Sequence, residues 1–418
     1  MALKRVVIAG MIGNGLEWYD FALYGHFAVI IARLFFPSDN AFISLISAFG
    51  AFAAGFAMRP LGAILFGYIG DKYGRKVSLA TSILLMAIPT ACIGLLPTYA
   101  QIGIWAPVLL TVIRLLQGLS LGGEFSGSIT FVIEHSKSHH RGLVGSTTII
   151  SLVGGMLLGS FVATIFAESL SPAAFEAWGW RVPFLLGIVI GLVGFYIRHH
   201  THESPHYAEA KEQGALSKTP LRDTLFHHKW ELAQAVGIYL TVTVPFYVFS
   251  VFSISYLTKI VNRPMEEALL INTIGMFALL VVVPLGAWVS DKIGRKLTLF
   301  ISALALLFFI YPITYVTANA GFAETMAATI LFAFILGIYL GPIPAVLAEL
   351  FPTKVRYTGL AISYNICAAL FGGTAPMVAT WLIKTTGMNT VVAFYLIVCA
   401  IISLIALYYF RDRYKEAL

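Results

Sequence analysis

The sequence predicts an all-helical integral membrane protein of twelve spans, built as two halves of six. Three observations carry that prediction. Hydrophobic residues make up 59% of the 418 residues and charged residues 11%, with a mean hydropathy of +0.85, whereas a soluble domain is close to half apolar and a quarter charged. The apolar runs are about 20 residues long, the length that crosses a bilayer. Being continuous rather than alternating, they exclude a transmembrane barrel and leave helices as the structure that hydrocarbon tolerates. Finally, Gly67-Tyr68-Ile69-Gly70-Asp71-Lys72-Tyr73-Gly74-Arg75-Lys76 has a counterpart. Asp291-Lys292-Ile293-Gly294-Arg295-Lys296 repeats its charged end 220 positions later, in the same kind of interval, the mark of an internal duplication.

The spans are expected at about 5–35, 41–69, 78–97, 103–133, 143–167, 181–198, 230–258, 267–289, 297–318, 323–349, 360–384 and 389–410, each long enough for one crossing. The first follows Lys4-Arg5 as a signal peptide would. It is too long for one, carries Glu17 and Asp20 and has no small-residue cleavage site, so it reads as a retained helix. With the N-terminus in the cytoplasm, 20 of the 27 Lys and Arg fall on the cytoplasmic side. That asymmetry predicts an even number of spans with both termini cytoplasmic. The net charge of +7 is thus a topology signal and not a nucleic-acid surface. Residues 199–229 form the longest polar interval and divide the chain into halves at 1–198 and 230–418. The interval's six histidines (His199, His200, His202, His206, His227, His228) read as a solvated loop, with a metal or pH-sensing role the alternative. Cys92, Cys367 and Cys399 have no ligand-like spacing and read as core residues.

A second repeat supports the duplication. Glu134 and Arg141 close span 4, Glu349 and Arg356 close span 10, each pair seven apart and the two offset by 215. Glycine takes positive φ without penalty, which suits Gly74 and Gly294 to the sharp reversal between spans.

Charge inside a span is costly and marks a functional candidate. In span 1, Gly13, Glu17, Asp20 and Tyr24 share one helical stripe with Asn14 beside it. The stripe faces either the bundle interior, as helix-to-helix glue, or a water-filled cavity. Mutual repulsion of two carboxylates one turn apart favours a proton on one of them. His26 lies off the stripe and reads as a packing residue. Arg114 in span 4 needs a carboxylate partner, and Asp20, Glu17 and Glu124 are the candidates. Such a pair is either static or a coupling device that opens on protonation. Arg59-Pro60 in span 2 is a further interior basic site. The formal charge over Glu17, Asp20, Arg59, Arg114 and Glu124 is −1, which suits a zwitterion better than a tri-anion.

The second half offers aromatics instead of buried charge: Tyr239, Phe246, Tyr247, Phe249, Phe252 and Tyr256 in span 7, Tyr339 in span 10, Tyr364 in span 11. They form either plain packing or a wall that attracts a quaternary ammonium. Pro245 and Gly341-Pro342-Ile343-Pro344 interrupt helix hydrogen bonding at mid-span. Asn14, Tyr24, Arg59, Tyr247, Tyr339 and Tyr364 are the candidate substrate contacts. No phosphate loop, metal-ligand cluster within a span or nucleophile–base spacing is present, so no enzyme activity and no cofactor is expected.

Several motifs together resemble the major facilitator superfamily, and within it the bacterial metabolite:proton symporters that carry proline/betaine, α-ketoglutarate, citrate and shikimate. They are Glu17-Trp18-Tyr19-Asp20-Phe21, Arg59-Pro60-Leu61-Gly62, the Gly67–Lys76 turn, Ile104-Trp105-Ala106-Pro107, Gln117-Gly118 with Ser120 and Gly122-Gly123-Glu124, and Trp178-Gly179-Trp180-Arg181-Val182-Pro183-Phe184. Asp291 to Lys296 and Phe351-Pro352-Thr353 with Arg356-Tyr357 match in the second half. The resemblance implies proton-driven import by alternating access in the bacterial inner membrane, by a protein that functions as a monomer. It makes Asp20 the proton carboxylate and Arg114 its partner, with Glu17 and Glu124 nearby. It makes Gly67, Asp71, Gly74, Arg75, Lys76, Glu134, Arg141, Asp291, Gly294, Arg295, Lys296, Glu349 and Arg356 a cytoplasmic gate. A zwitterion such as proline or a betaine is the expected solute; a dicarboxylate such as α-ketoglutarate and drug/proton antiport are the alternatives. Span 5 argues against antiport, because Gly154-Gly155-Met156-Leu157-Leu158-Gly159 lacks the expected proline. Osmosensing members carry a long C-terminal coiled coil; here about eight residues follow the last span, and activation by that route is not expected.

Overall fold

The computed structural model describes residues 2–73, 75–122, 124–134, 136, 138–199, 220–352 and 355–416. Twelve helical spans cross the molecule in alternating directions. Span 1 is Ala2–His26 with Ala28–Phe35, span 2 Ala41–Ala57 with Arg59–Tyr73, and span 3 Arg75–Leu95. Span 4 is Trp105–Ser120 with Glu124–Glu134, span 5 Arg141–Ser169, and span 6 Arg181–His199. Span 7 runs Lys229–Tyr247, Val248–Phe252 and Ser253–Lys259, followed by span 8 at Met265–Ile293 and span 9 at Arg295–Asn319. Span 10 is Phe322–Leu340 with Ile343–Leu350, span 11 Arg356–Cys367, Ala368–Gly372 and Ala375–Thr386, and span 12 Val391–Tyr409. Most of the 199–229 interval lies outside the described residues; a short helix, Pro220–His227, precedes span 7. One end of the bundle carries the two repeated turns and is called the turn end; the other is the far end.

Large apolar side chains cover the outside, among them Ile64, Val189, Phe308 and Ile405. Such a surface is stable against lipid and not against water. The interior is close-packed aromatic and aliphatic, and span 5 lies against both span 1 and span 8. Spans 1 and 7, 2 and 11, 5 and 10, and 4 with both 10 and 11 are the other main contacts between the first six spans and the last six.

Small residues decide where helices meet. Gly118 of span 4 faces the Gly55 carbonyl of span 2 so closely that a methyl group would overlap it, the close approach that small residues permit between membrane helices. Span 4 then breaks after Ser120, and a Cβ on Gly122 would overlap the backbone of Gly62 and Ala63 of span 2. Span 10 breaks at Gly341-Pro342, and a Cβ on Gly341 would overlap Val283 and Ala287 of span 8 in the same way. Gly122 and Gly341 are 219 positions apart, so the duplication read from the turns extends to the way helices are interrupted. The turn at the second copy is closed by Gly294 at φ 103°, a conformation that glycine adopts without a Cβ clash. Gly74 lies outside the described residues.

Candidate functional site

The polar stripe of span 1 faces inward. Asn14, Glu17 and Asp20 are buried, with Asp20 only 1% exposed. Asp20 Oδ2 accepts from Arg114 Nη1 at 2.9 Å, and Arg114 is equally buried. The same guanidinium donates to Gln117 Oε1 at 2.7 Å, and Gln117 donates to Thr90 Oγ1 at 2.9 Å. Its flat face lies 3.8 Å from the centre of the Tyr24 ring, so attraction to the π cloud supplements the ion pair. Asp20 and Glu17 line a small pocket between spans 1, 3, 4 and 6. Asn14 Nδ2 donates to Thr148 O of span 5 at 3.1 Å.

A second buried cation joins the two sets of six. Arg59 is fully buried; its Nη2 donates to the Tyr364 hydroxyl at 3.0 Å and its Nε to Asn365 Oδ1 at 3.2 Å. Asn365 in turn donates to Gly122 O of span 4 at 2.8 Å. Arg59 Nη1 has no hydrogen-bond partner, and Tyr247 and Glu17 lie within electrostatic reach of Arg59. Beside this knot is a small cavity between the first six spans and the last six. Its aromatic wall is Trp18, Tyr239, Phe246, Tyr247 and Tyr364, and Ile149, Leu152, Thr243 and Leu340 are among the residues that complete it.

At the turn end, Asp291 of span 8 accepts from the backbone N–H groups of Gly142 and Leu143, both at 2.9 Å, and from Arg295 Nη1 at 2.5 Å. An aspartate at the first turn of span 5 also meets the positive end of that helix. A Cβ at Gly142 would lie 2.8 Å from Asp291 Oδ1, so the contact needs glycine there. Glu349 of span 10 lies 3.4 Å from Arg295 Nη2 and 3.6 Å from Arg141 Nη1 of span 5. Arg356 Nε donates to Ala348 O at 2.8 Å. The residues after span 12 join in: Asp412 accepts from Lys296 N, and Arg141 Nη1 donates to Glu416 O, each at 2.9 Å.

The structure therefore brings Asp20 to Arg114, Arg59 to Tyr364, and Asp291, Arg295 and Glu349 to Arg141. Of the expected substrate contacts, Tyr247 and Tyr364 line the cavity between the halves, and Asn14, Tyr24, Arg59 and Tyr339 do not. The Tyr24 hydroxyl donates to Ala48 O and the Tyr339 hydroxyl to Ile238 O, both at 2.8 Å. The side chains of Asp71, Arg75, Lys76, Glu124 and Glu134 lie outside the described residues. Three participants were not singled out from sequence: Asn365, the Thr90–Gln117 relay, and Trp18 as cavity wall. Trp18 and Gln117 stand within motifs already quoted, and Asn365 follows Tyr364 directly.

The profile of the sugar (and other) transporter family matches residues 6–412. The glycine betaine/proline/ectoine/pipecolic acid transporter OusA of Dickeya dadantii is 34% identical over 100% of this chain and 85% of its own length. The proline/betaine transporter of Salmonella typhimurium is 34% identical over 96% of this chain and 82% of its own. A putative proline/betaine transporter of Staphylococcus haemolyticus is 37% identical over 97% and 86%. Among solved structures, the xylose transporter XylE from E. coli in a partially occluded inward-open conformation superposes with a TM-score of 0.77, covering 100% of both chains at 18% identity. That likeness establishes the fold, which is that of the major facilitator superfamily.

Proposed function

Because the chain belongs to the sugar (and other) transporter family, and is a multi-pass membrane transporter of small molecules and not an enzyme, we propose that it imports proline or a betaine together with protons. The observation that carries the substrate class is one guanidinium beside an aromatic wall: Arg59, bonded to Tyr364, next to a cavity faced by five rings. The negative faces of such rings attract a substituted ammonium, each contact contributing about 0.5–2 kcal/mol. Arg59 Nη1, which has no partner, supplies a charge-assisted bond for a carboxylate. A dicarboxylate would set its second anion against the ring faces. The names of the full-length relatives support the same reading.

Asp20 is the proton carrier in this reading. Protonation removes its charge and releases Arg114 to Gln117 and the Tyr24 ring, while the cavity at Glu17 and Asp20 gives the proton a wet approach. Glu17, within reach of Arg59, links the proton site to the substrate site. The bodies that rock are residues 1–198 and 230–418, joined by 199–229. The turn end faces the cytoplasm of a bacterial cell, with both termini there, and the protein works as a monomer in the inner membrane. Asp291, Arg295, Glu349 and Arg141 latch the cytoplasmic face, with Asp71, Arg75, Glu134 and Arg356 as the matching set.

Uptake into proteoliposomes with an alkaline interior tests the proposal. Labelled proline or glycine betaine should accumulate, and a proton ionophore should abolish the accumulation. Accumulation of α-ketoglutarate with neither zwitterion transported would overturn the substrate class, and indifference to the ionophore would overturn proton coupling.

A further inference from the structure

A third pocket, lined by the last six spans alone, lies towards the far end. Its apolar wall includes Phe249 and Phe252 of span 7, Ile310 of span 9, Phe332 of span 10 and Leu396 of span 12. It is separate from both cavities described above and shares no residue with them.

The polar atoms of this wall specify what can bind. No Asp, Glu, Lys, Arg or His lines it, so a charged ligand would be desolvated without a counter-charge. The Tyr256 hydroxyl donates to Asn389 O, Thr314 to Ile310 O, Thr317 to Ile313 O and Thr329 to Thr325 O, all at 2.8 Å. Their hydrogens are spent, and their oxygens remain as acceptors. The Asn272 amide nitrogen is committed to Phe249 O at 3.1 Å and Ser253 Oγ at 2.9 Å. An apolar chamber with spare acceptors fits an apolar body bearing one O–H or N–H donor.

The chamber also abuts the part of span 7 that closes the far end. Val248–Phe252 is a π-helical turn. On one side Val251 packs against Gly25 of span 1, and Phe246 and Tyr247 pack edge and face on Trp18. On the other side Phe249 and Phe252 face the chamber. Opening the far end requires this turn to leave span 1, and the free space lies on the side towards which it would move. We propose that the chamber binds an uncharged amphiphile with a single hydrogen-bond donor, and that occupancy holds spans 1 and 7 closed. By reciprocity, the ligand then binds the closed form more tightly than the open one.

Thermal unfolding of the full chain in detergent provides the test, with 4-phenylbutan-1-ol as probe and 4-phenylbutyrate and 4-phenylbutylammonium as charged congeners. The alcohol should raise the unfolding midpoint saturably, the congeners should not, and Leu396→Trp, which fills the chamber, should remove the shift. Thr329→Phe serves as an independent filling variant should Leu396→Trp fold poorly. In proteoliposomes the alcohol should lower maximal betaine uptake severalfold and leave its KM unchanged. Equal shifts from the charged congeners, a shift retained in both filled variants, or displacement of the alcohol by betaine would overturn the site. An unchanged maximal rate at saturating alcohol would overturn its coupling to closure. The binding arms use no transport step, so they stand apart from the zwitterion reading.

Discussion

The first six spans bury charge at mid-depth, and the last six bury rings and hydroxyls. Glu17, Asp20, Arg59 and Arg114 all lie inside the former. The buried charged residues among the described part of the latter are Arg295, Glu349 and Arg356, and these sit at the turn end. One duplicated fold has thus been filled with two chemistries. A buried ion pair responds to a proton because losing one charge strands the other. An aromatic wall does not titrate in the physiological range and can hold a cation without competing for the coupling proton. The ion pair and the aromatic wall border separate cavities, and span 1 joins them, giving Glu17 and Asp20 to one and Trp18 to the other.

The comparison breaks most visibly at Asp20. Asp20→Asn should abolish gradient-driven accumulation while leaving exchange partly intact; wild-type accumulation would locate the coupling elsewhere. Arg114→Ala should destabilise the fold by about 3–5 kcal/mol, the cost of leaving a buried carboxylate unpaired. Adding Asp20→Asn to that variant should recover much of the lost stability in denaturation midpoints without recovering accumulation. Next in size is Arg59→Lys. A point charge cannot reproduce the planar fork that reaches both Tyr364 and Asn365, so betaine affinity should fall about tenfold or more, the effect of losing one charge-assisted bond. A fall confined to maximal rate would place Arg59 in the latch between halves and not in the binding site.

Smaller effects sharpen the contrast at the turn end. Asp291→Asn removes the anion that caps span 5 and pairs with Arg295, and should favour the form open at that end. Alkylation of a cysteine placed at Ile149, with the three native cysteines replaced, would report this as faster labelling from the turn end. Gly294→Ala forces a Cβ into φ 103°, ψ 155° and should cost about 1–3 kcal/mol, read as a lowered unfolding midpoint.

Much of the fold was legible because bilayer crossing demands long apolar runs and punishes exceptions. The same demand made Asp20 and Arg114 conspicuous, although spacing left Glu17 and Glu124 as equal candidates for Arg114 and only the packing of span 1 on span 4 brings Asp20 to it. The hydroxyls of Tyr24 and Tyr339 are engaged by the backbone for a physical reason. Whether a hydroxyl meets a ligand depends on which backbone carbonyl stands nearby, here Ala48 O and Ile238 O, and residue spacing carries no record of that. Asn365 was invisible on similar grounds: an amide one position past a tyrosine becomes a bridge only when Arg59 and Gly122 O arrive from other spans.

Spans 7 and 11 each contain a five-residue π-helical turn, at Val248–Phe252 and Ala368–Gly372. Such a turn accommodates one residue more than the α-helical ladder would, and an α-helix advances about 100° per residue. Each turn is therefore a phase slip, like a vernier set one notch off. Side chains beyond it, including Tyr256 with its bond to Asn389 O, point where they do because of that extra notch. A single-residue deletion inside either turn would keep the span apolar and helical, yet rotate its outer third by roughly a quarter turn. Two hydropathy plots differing by one residue would look the same, and the two transporters would present different walls.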